Sequence, residues 1–199
     1  MCGRFILTVD IGEILKRFKV ETDIRTNPRH NIAPTQNILI ITSHEPSKLN
    51  IARWGLMPSW AKHPIINTRE DSITKPLYKS LNRCLIPADG FFEWKKVGSK
   101  KIPYFISLKG KKIFAFAGLC NQEACSIITT AANQLVKPIH DRMPAILEQK
   151  EERRWLKGMD KDLLRPYPSD EMQCIQISDL VNSPKNDNPE VIAAQNLLK

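Results

Sequence analysis

The sequence is poor in histidine and has no long hydrophobic run, and each of these shortages excludes a class of protein. Its 199 residues include four widely spaced histidines and five cysteines, with no C-x-x-C pair. This distribution argues against a metal site, and an odd number of thiols without a secretion signal argues against a disulfide framework. No apolar stretch approaches the ~20 residues that a membrane helix needs. We therefore expect reduced cysteines, no metal or cofactor, no membrane association and a cytoplasmic protein.

The charges are unevenly balanced, because 30 lysines and arginines stand against 21 aspartates and glutamates, giving a net charge of +9. Such an excess indicates a polyanionic partner, most commonly nucleic acid, although a basic protein can also bind no polyanion at all. The proportions of hydrophobic residues, 42%, and charged residues, 26%, are typical of globular proteins. At this length we expect one domain, spanning residues 1–199.

Hydrophobic periodicity predicts more strands than helices. Apolar residues spaced by three and four between Asp10 and Phe18 predict a helix with Asp10 as its N-cap. The predicted strands are 38–41, 51–56, 103–108, 113–119, 125–130, 145–147 and 172–177, and the short helices are 74–81 and 150–156. The glycine-containing segment 109–112 predicts a hairpin turn. The fold class is therefore α+β, with a curved, mostly antiparallel sheet or barrel as its core and helices packed around it.

The second residue is the most unusual chemical feature of the chain. If Met1 is removed, as the small side chain of Cys2 favours, the chain begins with an amine and a thiol on adjacent carbons. An α-amino group titrates near pH 7.7–8.0 and a thiol near 8.5, so part of the amine is uncharged at neutral pH. The amine can form an imine with an aldehyde, and the thiol can then close a five-membered thiazolidine. Alternatively, Cys2 is an ordinary cysteine.

Two other stretches carry candidates for proton transfer. Glu93 lies among aromatic residues, where burial would raise its pKa toward values useful for catalysis. Alternatively, by strand alternation, it faces outward and pairs with Lys95 or Lys96. His140 has a side chain that titrates near neutrality, and it stands with Arg142 in a polar segment ended by proline, which is typical of a loop site. Alternatively, as a lone histidine, it has a structural role.

Candidate binding residues lie between these stretches. Asn67 and Arg69 bring an amide and a guanidinium together in a segment, 65–71, that we predict to be irregular. Trp54 and Trp60 flank a glycine and a proline, so their rings either stack on bases in an exposed turn or belong to the core. Periodicity does not decide between these two alternatives.

Five segments occur in a fixed order, and together they are far more specific than any one alone. They are Met-Cys-Gly-Arg-Phe at 1–5, Asn-Ile-Ala-Pro-Thr-Gln at 31–36, Trp-Gly-Leu-Met-Pro-Ser-Trp at 54–60, Arg-Cys-Leu-Ile-Pro-Ala-Asp-Gly-Phe-Phe-Glu-Trp at 83–94 and Ile-His-Asp-Arg-Met-Pro at 139–144. In this order they closely resemble the SOS-response-associated peptidase (SRAP) family, whose members shield abasic sites by cross-linking to them. The resemblance covers nearly the whole chain.

The resemblance implies that an exposed Cys2 forms a thiazolidine with the ring-opened aldehyde of an abasic site in single-stranded DNA. The implied catalytic residues are Cys2, Asn67, Glu93 and His140. The implied DNA-binding residues are Gly3, Arg4, Pro34, Trp54, Arg69 and Arg142. This chain departs from the family pattern at three positions, because His30, Thr68 and Asp71 stand where Tyr, Ala and Glu are usual.

The protein implied by this resemblance acts in DNA damage and the SOS response, at the nucleoid or replication fork, with a latent lyase activity. Its partner would be single-stranded DNA carrying abasic sites, or a junction of single and double strands, bound by a monomer. Two alternatives remain from the same residues. One is a cysteine-type peptidase that uses Cys2 for self-processing, and the other is a non-covalent binder of single-stranded or modified DNA, whose binding would be sensitive to salt.

Overall fold

A computed structural model describes residues 2–110, 113–158 and 160–194 and contains strands, short helices and 3-10 turns. The strands are β1 (Arg4–Leu7), β2 (Arg29–Ile32), β3 (Asn37–Thr42), β4 (Leu49–Trp54), β5 (Asn67–Arg69), β6 (Asn82–Ala88), β7 (Gly90–Val97), β8 (Lys100–Leu108), β9 (Phe114–Cys120), β10 (Ala124–Ala131), β11 (Arg142–Pro144), β12 (Ile146–Leu147) and β13 (Met172–Gln176). The helices are α1 (Ile11–Phe18), α2 (Pro76–Lys79) and α3 (Glu152–Lys157). The 3-10 turns are Lys161–Leu163, Ser169–Glu171, Asp179–Asn182 and Pro189–Ile192.

The strands form two sheets, and the larger one closes on itself. The first sheet is antiparallel, in the order β13-β8-β7-β1-β2. In the second, β10, β4, β3, β6 and β9 each pair with the next, and β9 returns to pair with β10. Strand β5 adds to this closed sheet by running parallel to β10. The predicted α+β fold with a curved, mostly antiparallel barrel is confirmed.

One hydrophobic cluster joins the two sheets and fixes the position of β1. The ring of Phe5, in β1, packs edge-on against Trp54 at 5.1 Å and against Phe116 at 5.8 Å between ring centroids. Aromatic pairs of this geometry contribute roughly 0.5–1.5 kcal/mol each beyond the area they bury. Because Phe5 is anchored in this way, the residues immediately before it are held against the interface of the sheets.

Helix α1 forms where the sequence predicts it. The side chain of Asp10 accepts a hydrogen bond of 3.0 Å from the backbone N–H of Glu13, which is the expected N-cap contact. The helix ends at Lys19, whose backbone has a left-handed φ of 55°. A partly buried ion pair between Arg17 and Glu152, with N–O distances of 3.0 and 2.7 Å, ties α1 to α3.

Three local predictions differ from the structure. The hairpin predicted at 109–112 is wrong, because β8 pairs with β7 and β13 while β9 pairs with β6, β10 and β12; residues 111 and 112 themselves lie outside the described ranges. The tight turn is instead at Gly98, with φ of 60°, between β7 and β8. The segment 65–71 contains strand β5, and the tail after Asn182, whose prolines and asparagines predict a loop, contains a 3-10 turn. In the described part of the chain, no helix has the length and apolar character needed to cross a membrane.

Candidate functional site

Cys2 lies directly before β1 and is held by its main chain. Its carbonyl oxygen accepts a hydrogen bond of 2.8 Å from Nδ2 of Asn67, and its Sγ lies 3.6 Å from the carbonyl oxygen of Arg4. The side chain is completely buried in this chain, in which Met1 is still attached. Burial, and next the negative charge of Glu93, raise the pKa of the thiol well above its usual range. The exposed Cys2 that the family resemblance implied is therefore wrong for this form of the chain, because burial covers the sulfur.

Glu93 is placed beside Cys2 by strand pairing. Strands β1 and β7 pair with Arg4 opposite Phe92, so the next residue of β7 lies at the N-terminal entry of β1. Only 2% of Glu93 is exposed, and the alternative of an outward-facing residue paired with Lys95 or Lys96 is therefore wrong. Burial raises the pKa of the Glu93 carboxyl, while the imidazole of His140 acts in the opposite direction when it is protonated. A neutral carboxyl that can donate a proton is thus favoured.

His140 lies in the loop before β11, and its tautomer follows from a backbone contact. Its Nδ1 accepts a hydrogen bond of 3.0 Å from the N–H of Arg142, which requires an unprotonated Nδ1. The same atom lies 2.8 Å from Oδ1 of Asp141, a contact that would require a proton on Nδ1. The Asp141 side chain is 85% exposed and free to reorient in water, so we assign the backbone contact and the Nε2–H tautomer.

Asn67 joins the site through strand β5. Its neighbour across the ladder is Ile127 of β10, and this pairing fixes the direction of the Asn67 amide. Nδ2 donates to Cys2, while Oδ1 is buried and accepts no hydrogen bond from the described residues. A buried acceptor of this kind is costly unless a further donor reaches it. The four residues implied to be catalytic, which come from four separate segments, therefore meet around the start of β1.

Of the three arginines implied to bind DNA, Arg4 is the one without a carboxylate partner in the described ranges. Its guanidinium donates instead to Oδ1 of Asn31 at 2.8 Å and to the carbonyl oxygens of Val181 at 2.7 Å and Asn182 at 3.4 Å. Burial lowers the pKa of this arginine. A cation that is oriented but not neutralised suits an anionic ligand.

The other two arginines form ion pairs within the chain. Arg69 is exposed and donates to Asp71, with distances of 2.6 and 3.2 Å, so the shortened carboxylate still orients its neighbour. Arg142 is mostly buried and donates to the carboxylate of Glu70 and to the carbonyl oxygen of Thr129. A phosphate would have to displace or share these carboxylates at both positions.

The two candidate tryptophans have opposite environments. The ring of Trp54 is completely buried and donates its Nε1–H to the carbonyl oxygen of Ile66 at 2.9 Å, so of the two alternatives left open for this ring the core position is the one observed, and the implied DNA contact is not available to it. Trp60 is 67% exposed, in a loop whose base is closed by two hydrogen bonds between Leu56 and Ile65. Within the segment, Trp60 is therefore the ring available to a base.

Gly3 and Pro34, also implied to contact DNA, are half-buried. Pro34 precedes Thr35, whose backbone has a positive φ of 72°, and the N–H of Thr35 donates to the carbonyl oxygen of Trp54 at 2.8 Å. A β-branched residue in this region is strained, and such strain occurs preferentially at functional sites.

Sequence reasoning missed the residues that support the site. Asn31 is completely buried, and its Nδ2 lies 2.9–3.2 Å from the carbonyl oxygens of Val181, Ser183 and Asn186. The carboxylate of Asp187 accepts hydrogen bonds from Arg29 and from two backbone N–H groups of β2. The available signal for Asn31 was an asparagine placed directly before two apolar residues, Ile32 and Ala33. No local feature of the sequence marks Asp187.

The departure at position 68 has a structural explanation. Thr68 is buried, and its hydroxyl forms a hydrogen bond of 2.8 Å with the hydroxyl of Ser126 on the neighbouring strand. The two hydroxyls satisfy each other, so the added polar atom is paired. Within the described ranges, no group of three or more potential metal ligands is found.

Comparison with known proteins gives consistent matches over almost the full length. The family model described as SOS response associated peptidase (SRAP) matches residues 1–184. The abasic site processing protein YoqW of Bacillus subtilis strain 168 is 42% identical, covering 96% of this chain and 99% of the relative. The abasic site processing protein YedK of Escherichia coli K12 is 32% identical, with coverages of 96% and 99%.

A solved structure agrees with the sequence matches. The crystal structure of a protein from Bacteroides thetaiotaomicron superposes with a TM-score of 0.85 at 28% identity, covering 97% of this chain and 99% of that one. The shared fold thus accompanies the shared sequence. The chain belongs to the SOS response associated peptidase family.

Proposed function

We propose that this protein processes abasic sites in DNA, and that it does so by bonding covalently to the lesion through Cys2 after Met1 has been removed. The observation that carries the proposal is the hydrogen bond from Asn67 to the carbonyl of Cys2, beside the buried carboxyl of Glu93. Relatives named abasic site processing proteins support the substrate. The net charge of +9 suits a polyanion.

Removal of Met1 would turn the Cys2 nitrogen into an amine without disturbing the carbonyl that Asn67 holds. We propose that the new amine donates an N–H to Oδ1 of Asn67, which accepts no hydrogen bond from the described residues. The raised pKa of the thiol keeps sulfur protonated at neutral pH. This favours an order in which the amine attacks first and the thiol second.

The proposed reaction consumes one aldehyde and releases one water. The Cys2 amine adds to the C1′ carbonyl of the ring-opened sugar, forming a carbinolamine. Glu93, whose pKa is raised by burial, donates a proton to the departing hydroxyl, which leaves as water, and then takes the proton of the nitrogen, so that a neutral imine results. The thiol sulfur then adds to the imine carbon, its proton passes to the nitrogen, and a thiazolidine results. His140 serves as the second acid/base for these proton transfers and their reversal.

Capture by sulfur competes with strand cleavage. An imine at C1′ acidifies the neighbouring carbon and permits β-elimination of the 3′ phosphate, which is the lyase reaction. Closure of the thiazolidine removes the imine and so stops elimination. The thiol held on the same residue acts at high effective concentration, and the intact cross-link is the expected product.

Recognition of the strand does not depend on the missing base. Arg4 supplies an unneutralised charge for a phosphate, and the exposed ring of Trp60 offers a stacking surface for a flanking base. We propose single-stranded DNA as the substrate, because stacking on Trp60 requires an unpaired base. A peptidase is the weaker candidate, since a cysteine peptidase needs a thiolate and burial opposes its formation.

The test uses a single-stranded oligonucleotide in which a uracil has been converted to an abasic site by a uracil glycosylase. Wild-type protein is expected to give a band that survives denaturing electrophoresis, and Cys2→Ala is expected to give none. Cys2→Ser keeps the amine but lacks sulfur, so it should cleave the strand and cross-link only when borohydride reduces the imine. Intact-mass measurement of the same samples reports whether Met1 is absent.

Cys174→Ala provides the matched control, because it removes a partly buried thiol outside the site. It should cross-link like the wild type. A stable adduct formed by Cys2→Ala, or by wild-type protein that retains Met1, would exclude the proposed chemistry.

A further inference from the structure

A second basic surface lies on the side of the molecule built by α1 and α3. It is a cleft of about 700 Å³, here called the α1–α3 cleft, and none of its lining residues belongs to the candidate site. Its floor is apolar, formed by Ile41, Leu85 and Leu156. Its charged lining consists of six cations and one carboxylate: Arg17, Lys19, Arg83, Lys150, Arg153, Lys157 and Glu152.

Most of these cations are not neutralised. Arg17 is paired with Glu152 at 2.7 Å, and Lys150 is paired with Glu148, outside the lining, at 2.8 Å. The other four, Lys19, Arg83, Arg153 and Lys157, form no ion pair with any described residue. A cleft with four uncompensated positive charges has a strongly positive potential, because its walls confine the field. It therefore selects an anionic ligand.

The positions of the cations are defined by secondary structure. Arg153 and Lys157 are four residues apart on α3 and exposed, so they project from the same face. The guanidinium of Arg83 donates to the carbonyl oxygen of Leu156, with two N–O distances of 3.3 Å, and is thereby held against the same helix. Hydroxyls and an amide at positions 43, 47 and 149 line the same cleft and can donate to phosphate oxygens.

We propose that the α1–α3 cleft binds the phosphate backbone of the DNA strand at a distance from the captured lesion. This inference rests on the proposed function, because a strand held at Cys2 presents its flanking phosphates to other surfaces of the same protein at a raised effective concentration. Binding there is independent of sequence, because the lining offers charges and small polar groups to phosphate oxygens, and the guanidinium of Arg17 already covers one face of the Phe18 ring at 4.6 Å. An acidic protein segment is the competing occupant that the experiment must separate.

The test compares wild type with the double variant Arg153→Gln/Lys157→Gln on undamaged single-stranded oligonucleotides of roughly 8 and roughly 40 nucleotides. Affinity is measured by fluorescence anisotropy over a range of salt concentrations. Each lost phosphate contact reduces the slope of log K against log salt by about 0.7 for single strands, so the slope for the long oligonucleotide should fall by about 1.4. The short oligonucleotide has no lesion to hold it at Cys2, so its slope should also fall, by about 1.4 or less.

Lys100→Gln/Lys101→Gln removes the same charge from two exposed lysines outside the cleft and is the matched control. It should retain the wild-type slope, and thermal melts should show that both double variants are folded. Undamaged DNA needs no reaction at Cys2, so this experiment can succeed even if no cross-link forms. An unchanged slope in Arg153→Gln/Lys157→Gln, or a loss of binding to poly-glutamate with DNA binding intact, would overturn the proposal.

Discussion

We expect replacement of Asn31 by alanine to cause a large loss in the free energy of unfolding. Its amide N–H groups donate to three carbonyl oxygens and so link β2 to the C-terminal segment 179–192. Its Oδ1 accepts a hydrogen bond of 2.8 Å from the guanidinium of Arg4. Asn31→Ala removes all of these hydrogen bonds, while the carbonyl oxygens that accepted them stay in place. The variant also leaves the Arg4 side chain without one of its three acceptors.

The magnitude follows from the bonds that are lost. An amide has two N–H donors, worth about 1 kcal/mol each net, and the bond from charged Arg4 is worth about 1.5 kcal/mol or more. The free energy of unfolding should therefore fall by about 3–4 kcal/mol. For a chain of this size, each kcal/mol lowers Tm by roughly 2–4 °C, so the expected decrease is roughly 6–16 °C.

Urea unfolding followed by circular dichroism measures this loss, and limited proteolysis reports where it acts. New cleavage should appear within 179–192, since that segment loses its main attachment. Asn27→Ala, at an exposed loop position, is the control and should stay within about 0.5 kcal/mol of wild type. If Asn31→Ala loses less than about 1 kcal/mol, the network does not hold the segment.

Three further predictions concern individual side chains. Burial raises the pKa of Glu93 in the folded state, so the ionised carboxylate destabilises the fold as pH rises from about 4.5 through the raised pKa. In thermal melts, Glu93→Gln should therefore be more stable than wild type at about pH 8 but not at about pH 4. Glu152→Ala leaves the partly buried charge of Arg17 without its carboxylate, so the free energy of unfolding measured in urea should fall by about 3–5 kcal/mol. Arg17→Met/Glu152→Met should lower it less, because neither charge then remains buried alone. Trp60→Ala should leave Tm unchanged but weaken single-stranded DNA binding by about 1–3 kcal/mol in anisotropy titrations, whereas Trp54→Ala should cost about 3–5 kcal/mol of stability.

The parts of the fold that depend on neighbouring residues could be predicted from the sequence. Helix α1 has its cap, its apolar face and its end within a few residues, and the structure has all three. The hairpin at 109–112 failed because a turn signal does not say which sheet the following strand joins. Here β8 and β9 enter different sheets, and only the distant partners β7 and β6 decide this.

The candidate site was predictable where chemistry identifies a residue and unpredictable where burial decides. Alternation suggested an outward Glu93, but the first four residues of β7 are all buried because both faces of the strand are covered. The contrast between Trp54 and Trp60 depends on the carbonyl of Ile66, which no periodicity indicates. The contact of Asp187 with the backbone of Asn31 joins positions 156 residues apart, beyond the reach of any local pattern.

The attachment of the C-terminal segment 179–192 to β2 can form only late in synthesis of the chain on the ribosome. The hydrogen bond between Asn31 and Asn186 spans 155 residues, so at about 5–20 residues per second roughly 8–30 s pass between the synthesis of its two ends. During that interval the nascent chain has no acceptors from 181–182 to orient Arg4. The charge implied to contact DNA is therefore aligned only once translation of this segment is finished, and a prematurely terminated product would lack that alignment.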